Sequence, residues 1–114
     1  MPFFEIRTNK EMDKGGADAL TKKASKFIAD TLDKPEGYVM VSVLEARAMT
    51  FGGENGLVAF ITLKSIGLPE EKCPELSKKI CAFLEEAADI PADRVFIDFL
   101  NIKGSMFGWN GQTF

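Results

Sequence analysis

The chain has 114 residues, 46% of them apolar and 27% charged, which suits one globular domain and excludes a disordered segment. Lys plus Arg number 14 and Asp plus Glu 17, a net charge of −3, so a basic nucleic-acid-binding surface is not expected. No apolar run approaches roughly 18 residues, and no basic stretch leads into an apolar core, so neither a membrane span nor a Sec-type signal peptide is expected.

Phe3-Phe4-Glu5-Ile6-Arg7-Thr8 reads as a first strand. A helix follows from about Asp13, placed as its N-cap, to Leu32, and Pro35 stops it. Residues Tyr38 to Leu44 are apolar at nearly every position, the pattern of a strand covered on both faces. Gly52-Gly53-Glu54-Asn55-Gly56 matches no phosphate-binding spacing and reads as a connecting turn. Phe60 to Ser65 reads as the next strand. A second helix begins between Pro69 and Pro74, where Glu70 and Glu71 complement its dipole, and ends before Pro91. The last strand, Arg94 to Leu100, is again apolar on nearly every position, with Asp98 as the only charge from Val95 onward.

These elements form two copies of one unit, about 2–45 and 57–101. Pro35 and Pro91 stand 56 residues apart, and the same offset lays Leu20 on Leu76, Ala24 on Ile80, Phe27 on Phe83 and Ile28 on Leu84. Those positions step by 4, 3 and 1, which is one apolar helix face. At an offset of 57, Phe3–Thr8 lies over Phe60–Ser65. Each copy should be a right-handed βαβ crossover with parallel strands. Paired, they give an α/β (α+β) domain: duplicated βαβ units, a four-stranded mixed sheet and two helices on one face. Two helices cover one face only, while the strands read as covered on both. Another copy of the chain is the cheapest cover, so a homo-oligomer is expected.

The chain contains no histidine, which removes Ser-His-Asp and Cys-His catalysis and His-ligated zinc. Cys73 and Cys81 are not a CxxC pair, and eight residues apart on one helix they lie about 12 Å apart along its axis, too far to bridge. No metal site and no cofactor is expected, and both thiols should stay reduced in a cytoplasmic setting. Catalysis would have to use Lys, carboxylates, Tyr38, a thiol or a chain terminus.

Met1-Pro2 at the start, Lys34-Pro35, Phe51-Gly52-Gly53, Ser65-Ile66-Gly67, Asp93-Arg94-Val95-Phe96-Ile97 and the closing Gly108-Trp109-Asn110-Gly111-Gln112-Thr113-Phe114 resemble, in order and spacing, the macrophage migration inhibitory factor family of the tautomerase superfamily. The resemblance spans the whole chain. It implies a trimer with a barrel-like sheet core. It also implies keto–enol tautomerisation of phenylpyruvate-like or dopachrome-like compounds, without a cofactor. In the family Pro2, exposed by trimming of Met1, is a secondary amine that takes a proton from the carbon beside a carbonyl and returns it. Such a base must be unprotonated near neutral pH, and burial and a nearby Lys34 would both lower its pKa. With Met1 in place the nitrogen is an amide and offers no base.

The resemblance further assigns Lys34 to the substrate carboxylate and the backbone at Ser65 and Ile66 to substrate contact. Tyr38, Phe96, Phe107 and Trp109 become pocket walls, with core packing an equal reading for Phe96 and Phe107. Three departures stand out. Val58 and Ile61 replace a thiol pair, so thiol–disulfide exchange is not expected. Phe96 replaces a tyrosine, and Asp98 replaces an asparagine that faces the substrate from a neighbouring subunit. That carboxylate should disfavour free keto acids if it faces the pocket, and otherwise meets solvent at the strand edge. The alternative function is a cytokine-like ligand of a protein receptor, exported by a route without a signal peptide.

Overall fold

The computed structural model describes residues 1–114. Its elements in chain order are β1 (Phe3–Thr8), α1 (Lys14–Leu32), β2 (Met40–Leu44), β3 (Ala59–Ile66), α2 (Cys73–Ala88), β4 (Val95–Ile102), and a small hairpin of β5 (Gly108–Trp109) and β6 (Gln112–Thr113). The main sheet has the order β2-β1-β3-β4; β1 runs parallel to β2, β3 parallel to β4, and the two central strands are antiparallel. This is the expected mixed sheet of two βαβ units.

The register carries the duplication to single residues. Phe3 pairs with Met40 and its equivalent Phe60 pairs with Phe96, so the two offsets of 57 and 56 close on one another. Glu5 faces its own equivalent, Thr62, which puts the local two-fold axis between them. On the helices the repeated Leu20/Leu76, Ala24/Ile80 and Ile28/Leu84 are all buried, packed with Phe4, Ile6, Ile61 and Leu63 of the central strands. Phe27 stacks on its equivalent Phe83, with ring centroids 4.4 Å apart and planes 12° off parallel. Each such buried apolar side chain contributes about 1.5–3 kcal/mol, so the core lies between the helix layer and one sheet face.

The helix ends follow from local chemistry. Asp13 Oδ1 accepts the Gly16 N–H at 2.7 Å and caps α1. Asp33 and its equivalent Asp89 both end their helices in the left-handed region, at φ 53° and 59°. Pro35 and Pro91 then start short 3-10 turns, because a fixed φ suits a turn opening. The Glu36–Tyr38 turn therefore takes residues read as strand, and β2 starts at Met40. β4 runs two residues past the expected end, since Asn101 still pairs with Ser65 and accepts the Leu68 N–H at 3.0 Å. The Gly52–Gly56 segment is a turn, with Gly52 and Gly53 at φ 60° and 79° between the bridged Phe51 and Glu54. Arg94 holds it in place, its Nε donating to the Leu57 carbonyl at 2.8 Å and its Nη2 to that of Glu54 at 3.1 Å.

The other sheet face has no helix over it. It presents Met40, Phe60 and Phe96, exposed by 66, 38 and 61%, around Glu5, Thr62 and Asp98. No helix is long and apolar enough to cross a membrane.

Candidate functional site

Pro2 lies just ahead of β1, its side chain fully buried and its carbonyl accepting the Met40 N–H at 3.0 Å. Beside it opens a cavity of about 370 Å³, walled by Tyr38, Phe107, Trp109 and Phe114 and reached by Lys64 of β3. The walls come from two places. The Pro35-nucleated turn delivers Tyr38, and the C-terminal hairpin delivers Trp109, whose ring meets Tyr38 edge-on at 5.4 Å and 78°. Asn110 and Gly111, at φ 52° and 76°, make the tight turn between β5 and β6. Gly104 sits where an added Cβ would come within 3.2 Å of the Phe114 carbonyl, so the chain end can fold back, its N–H donating to Gly104 O and Phe107 O.

Lys34 lies on the opposite side of the chain start. It follows the left-handed Asp33 and donates its N–H to Ala29 O at 3.0 Å, which leaves its side chain at the C-terminal end of α1. With Ser65, Gly67 and Lys72 it lines a cleft of about 340 Å³ on the helix side of the sheet. Comparison of the two repeat units explains why a cleft exists here. The equivalent of Lys34 in the second unit is Ile90, which is fully buried in the core cluster. A lysine in place of that isoleucine leaves the cleft of the first unit open and charged.

Ser65 follows the same logic. It and its equivalent Thr8 are the two buried hydroxyl residues of the domain. Thr8 Oγ1 donates to Val58 O at 2.7 Å, a full hydrogen bond. Ser65 Oγ reaches only the Ile66 carbonyl at 3.4 Å, so it keeps bonding capacity for a ligand in the Lys34 cleft. Ile66, half-buried, pairs with Ile102, and Gly67 at φ 69° turns the chain away beyond it.

The amino group of Met1 is held below its ordinary value, first by burial and second by the Lys34 ammonium. The chain start therefore sits within electrostatic reach of Lys34 and in a partly dehydrated setting, both of which disfavour a protonated amine.

Of the residues anticipated above, Pro2, Tyr38, Phe107 and Trp109 gather at one cavity, and Lys34 and Ser65 at the adjoining cleft. Phe96 and Asp98 stand apart from both within one chain. They project from the outer strand β4 on the helix-free face, Phe96 packed on Phe51 with centroids 4.8 Å apart and Asp98 exposed beside Thr62. Lys64 and Phe114 are among the lining residues that the sequence did not assign to the pocket. The strand alternation Phe60-Thr62-Lys64 placed Lys64 on one face, but only the β1–β3 register brings it opposite Phe3 and hence to Pro2.

A family model described as Macrophage migration inhibitory factor (MIF) matches residues 1–114. The macrophage migration inhibitory factor homolog of Brugia malayi is 38% identical, covering 100% of this chain and 99% of its own, and that of Trichuris trichiura is 38% identical with 100% of both covered. The crystal structure of the homologue from Prochlorococcus marinus superimposes with a TM-score of 0.89 at 34% identity, over 98% of each chain. The factor from Trichinella spiralis gives 0.89 at 32% identity, over 98% of this chain and 99% of the other. Fold, register and sequence thus agree along the whole length: the chain belongs to the macrophage migration inhibitory factor family.

Proposed function

We propose that the protein is a keto–enol tautomerase, acting on phenylpyruvate-like or dopachrome-like compounds with Pro2 as its acid–base group. The observation that carries this reading is the environment of the chain start: Pro2 is buried at the aromatic cavity, and the terminal amine lies within electrostatic reach of Lys34. Once Met1 is trimmed, the Pro2 nitrogen becomes the terminal amine in that environment, and the influences that lower the Met1 amine act on it. The neutral amine takes a proton from the carbon next to the ketone, electron density moves to the carbonyl oxygen, and the resulting ammonium returns a proton to give the isomer. Nothing is oxidised or consumed, so the step calls for no redox partner. Lys34 pairs with the substrate carboxylate and Ser65 adds a hydroxyl beside it, while the aromatic walls hold the ring and exclude water.

The assembly belongs to the same proposal. Three copies would cover the apolar margins of the helix-free face, Met40, Phe60 and Phe96 among them. Phe96 and Asp98, on the outermost strand, would then reach the pocket of a neighbouring subunit instead of their own. A second reading, a ligand for a protein receptor, is favoured by the relatives' name, which describes a factor acting on macrophage migration.

The test pairs mass spectrometry of the N-terminus with a phenylpyruvate ketonisation assay on the same sample. A chain starting at Pro2 with measurable turnover is expected. A trimmed chain without turnover overturns the tautomerase reading in favour of the receptor ligand.

A further inference from the structure

Lys64 is the only charged side chain lining the Pro2 cavity. It is half-buried, among aromatic and aliphatic walls, and no carboxylate lies within 4.0 Å of its ammonium. The carboxylates diagonal to it on the same sheet face are Glu5, already paired with Arg7 at 3.2 Å, and Asp98, which is exposed. Within one chain no side-chain carboxylate pairs with this ammonium, and water meets it through the open side of the cavity. A ligand that displaces this water and covers the apolar walls strengthens the attraction between the ammonium and an anion on that ligand. Ser65 is the next residue of β3 and points to the opposite face, into the cleft with Lys34. The sheet end at Pro2 therefore carries one lysine on each side: Lys34 in the polar cleft and Lys64 in the aromatic cavity.

We propose that Lys64 is a second anion anchor and that the site selects 2-oxo acids bearing a second carboxylate. The proposal rests on the tautomerase reading and narrows its substrate class. The 2-oxo carboxylate meets Lys34 and the body of the substrate passes Pro2. A carboxylate at the far end, on an aromatic ring for instance, meets Lys64. Asp98 of the partner subunit enters the same pocket in the proposed assembly but stays clear of Lys64, so a mono-acid fills the cavity and leaves the Lys64 charge unmatched.

Binding of cinnamate and 4-carboxycinnamate to the trimmed protein, measured by titration calorimetry, tests this apart from turnover. Both probes are planar like an enol and neither has an enolisable carbon. The wild-type protein should bind the di-acid at least about tenfold more tightly than the mono-acid. Lys64→Met should bring that ratio within about threefold, and Lys64→Arg should restore it, since either cation can meet a carboxylate. Equal affinities in the wild-type protein overturn the proposal, as they would if Asp98 of the partner subunit neutralised Lys64. A preference that survives Lys64→Met overturns it as well. Turnover of phenylpyruvate without any di-acid preference defeats this proposal alone, and a di-acid preference without turnover defeats the tautomerase reading alone.

Discussion

At the residue scale, the most informative comparison is between Lys34 and Ile90, the same place in two copies of one unit. The second copy buries an isoleucine in the core cluster, and the first leaves a lysine there within electrostatic reach of the chain start. Lys34 then has two jobs under the proposed mechanism: it attracts the substrate carboxylate and it repels a proton from the neighbouring amine. At the Met1 amine burial is the larger cause of the lowered pKa and Lys34 the smaller, so under the proposed mechanism only part of the effect on the trimmed Pro2 amine should vanish with the lysine. A base works unprotonated, so kcat/KM rises with pH through the amine pKa. Lys34→Met removes a positive charge, eases protonation, and should move that rising limb to higher pH. The displacement should shrink at high salt, because this charge is partly exposed. The same variant should lose about tenfold or more in kcat/KM for a free keto acid and much less for its ester, a charged hydrogen bond being worth about 1.5–3 kcal/mol. A pH profile that stays in place would remove Lys34 from the electrostatics of the base.

At the element scale, the helices and the central strands were legible from spacing alone. The steps Leu20-Ala24-Phe27-Ile28, repeated 56 residues on, define the buried faces of α1 and α2, and those faces are the ones that meet the sheet. Two features escaped for physical reasons. Tyr38 has the composition of a strand residue, yet Pro35 fixes a turn that withdraws it from β2 and hands it to the cavity. The partnership of Lys64 with Pro2 depends on an antiparallel register between strands more than fifty residues apart, and no local periodicity encodes that. The Asn110-Gly111 pair is a strong hairpin signal that the reading of the C-terminus left unused. The helix pair is fastened across the two-fold axis by Phe27 and Phe83. Stacked rings of this kind couple by about 0.5–1.5 kcal/mol beyond area burial. A double-mutant cycle of Phe27→Ala and Phe83→Ala in urea, at fixed protein concentration, should return a coupling of about that size. Strictly additive losses would mean the stack adds nothing beyond burying two rings.

At the scale of the whole molecule, the helix-free face determines what the chain does next. β2 and β4 are largely apolar on both sides, with Ser42 and Asp98 as polar exceptions on the helix-free one, but one chain covers only the side toward α1 and α2, leaving Met40 and Phe96 more than half exposed. Burying one such side chain against a neighbour would contribute about 1.5–3 kcal/mol, and the face carries several. Light scattering after size exclusion should therefore report about three times the 12.6 kDa chain mass. A monodisperse monomer at micromolar concentration would refute both the covered face and the delivery of Phe96 and Asp98 to a neighbour's pocket. The proposed catalysis, however, turns on one nitrogen. Pro2→Gly keeps a terminal amine but alters its basicity, shape and rigidity at a fully buried point of the site. Ketonisation of phenylpyruvate by this variant, with its trimmed N-terminus verified by mass, should lose at least about tenfold in kcat/KM, on the order of 1.4 kcal/mol of transition-state stabilisation. A wild-type rate in Pro2→Gly would contradict a catalytic role for Pro2.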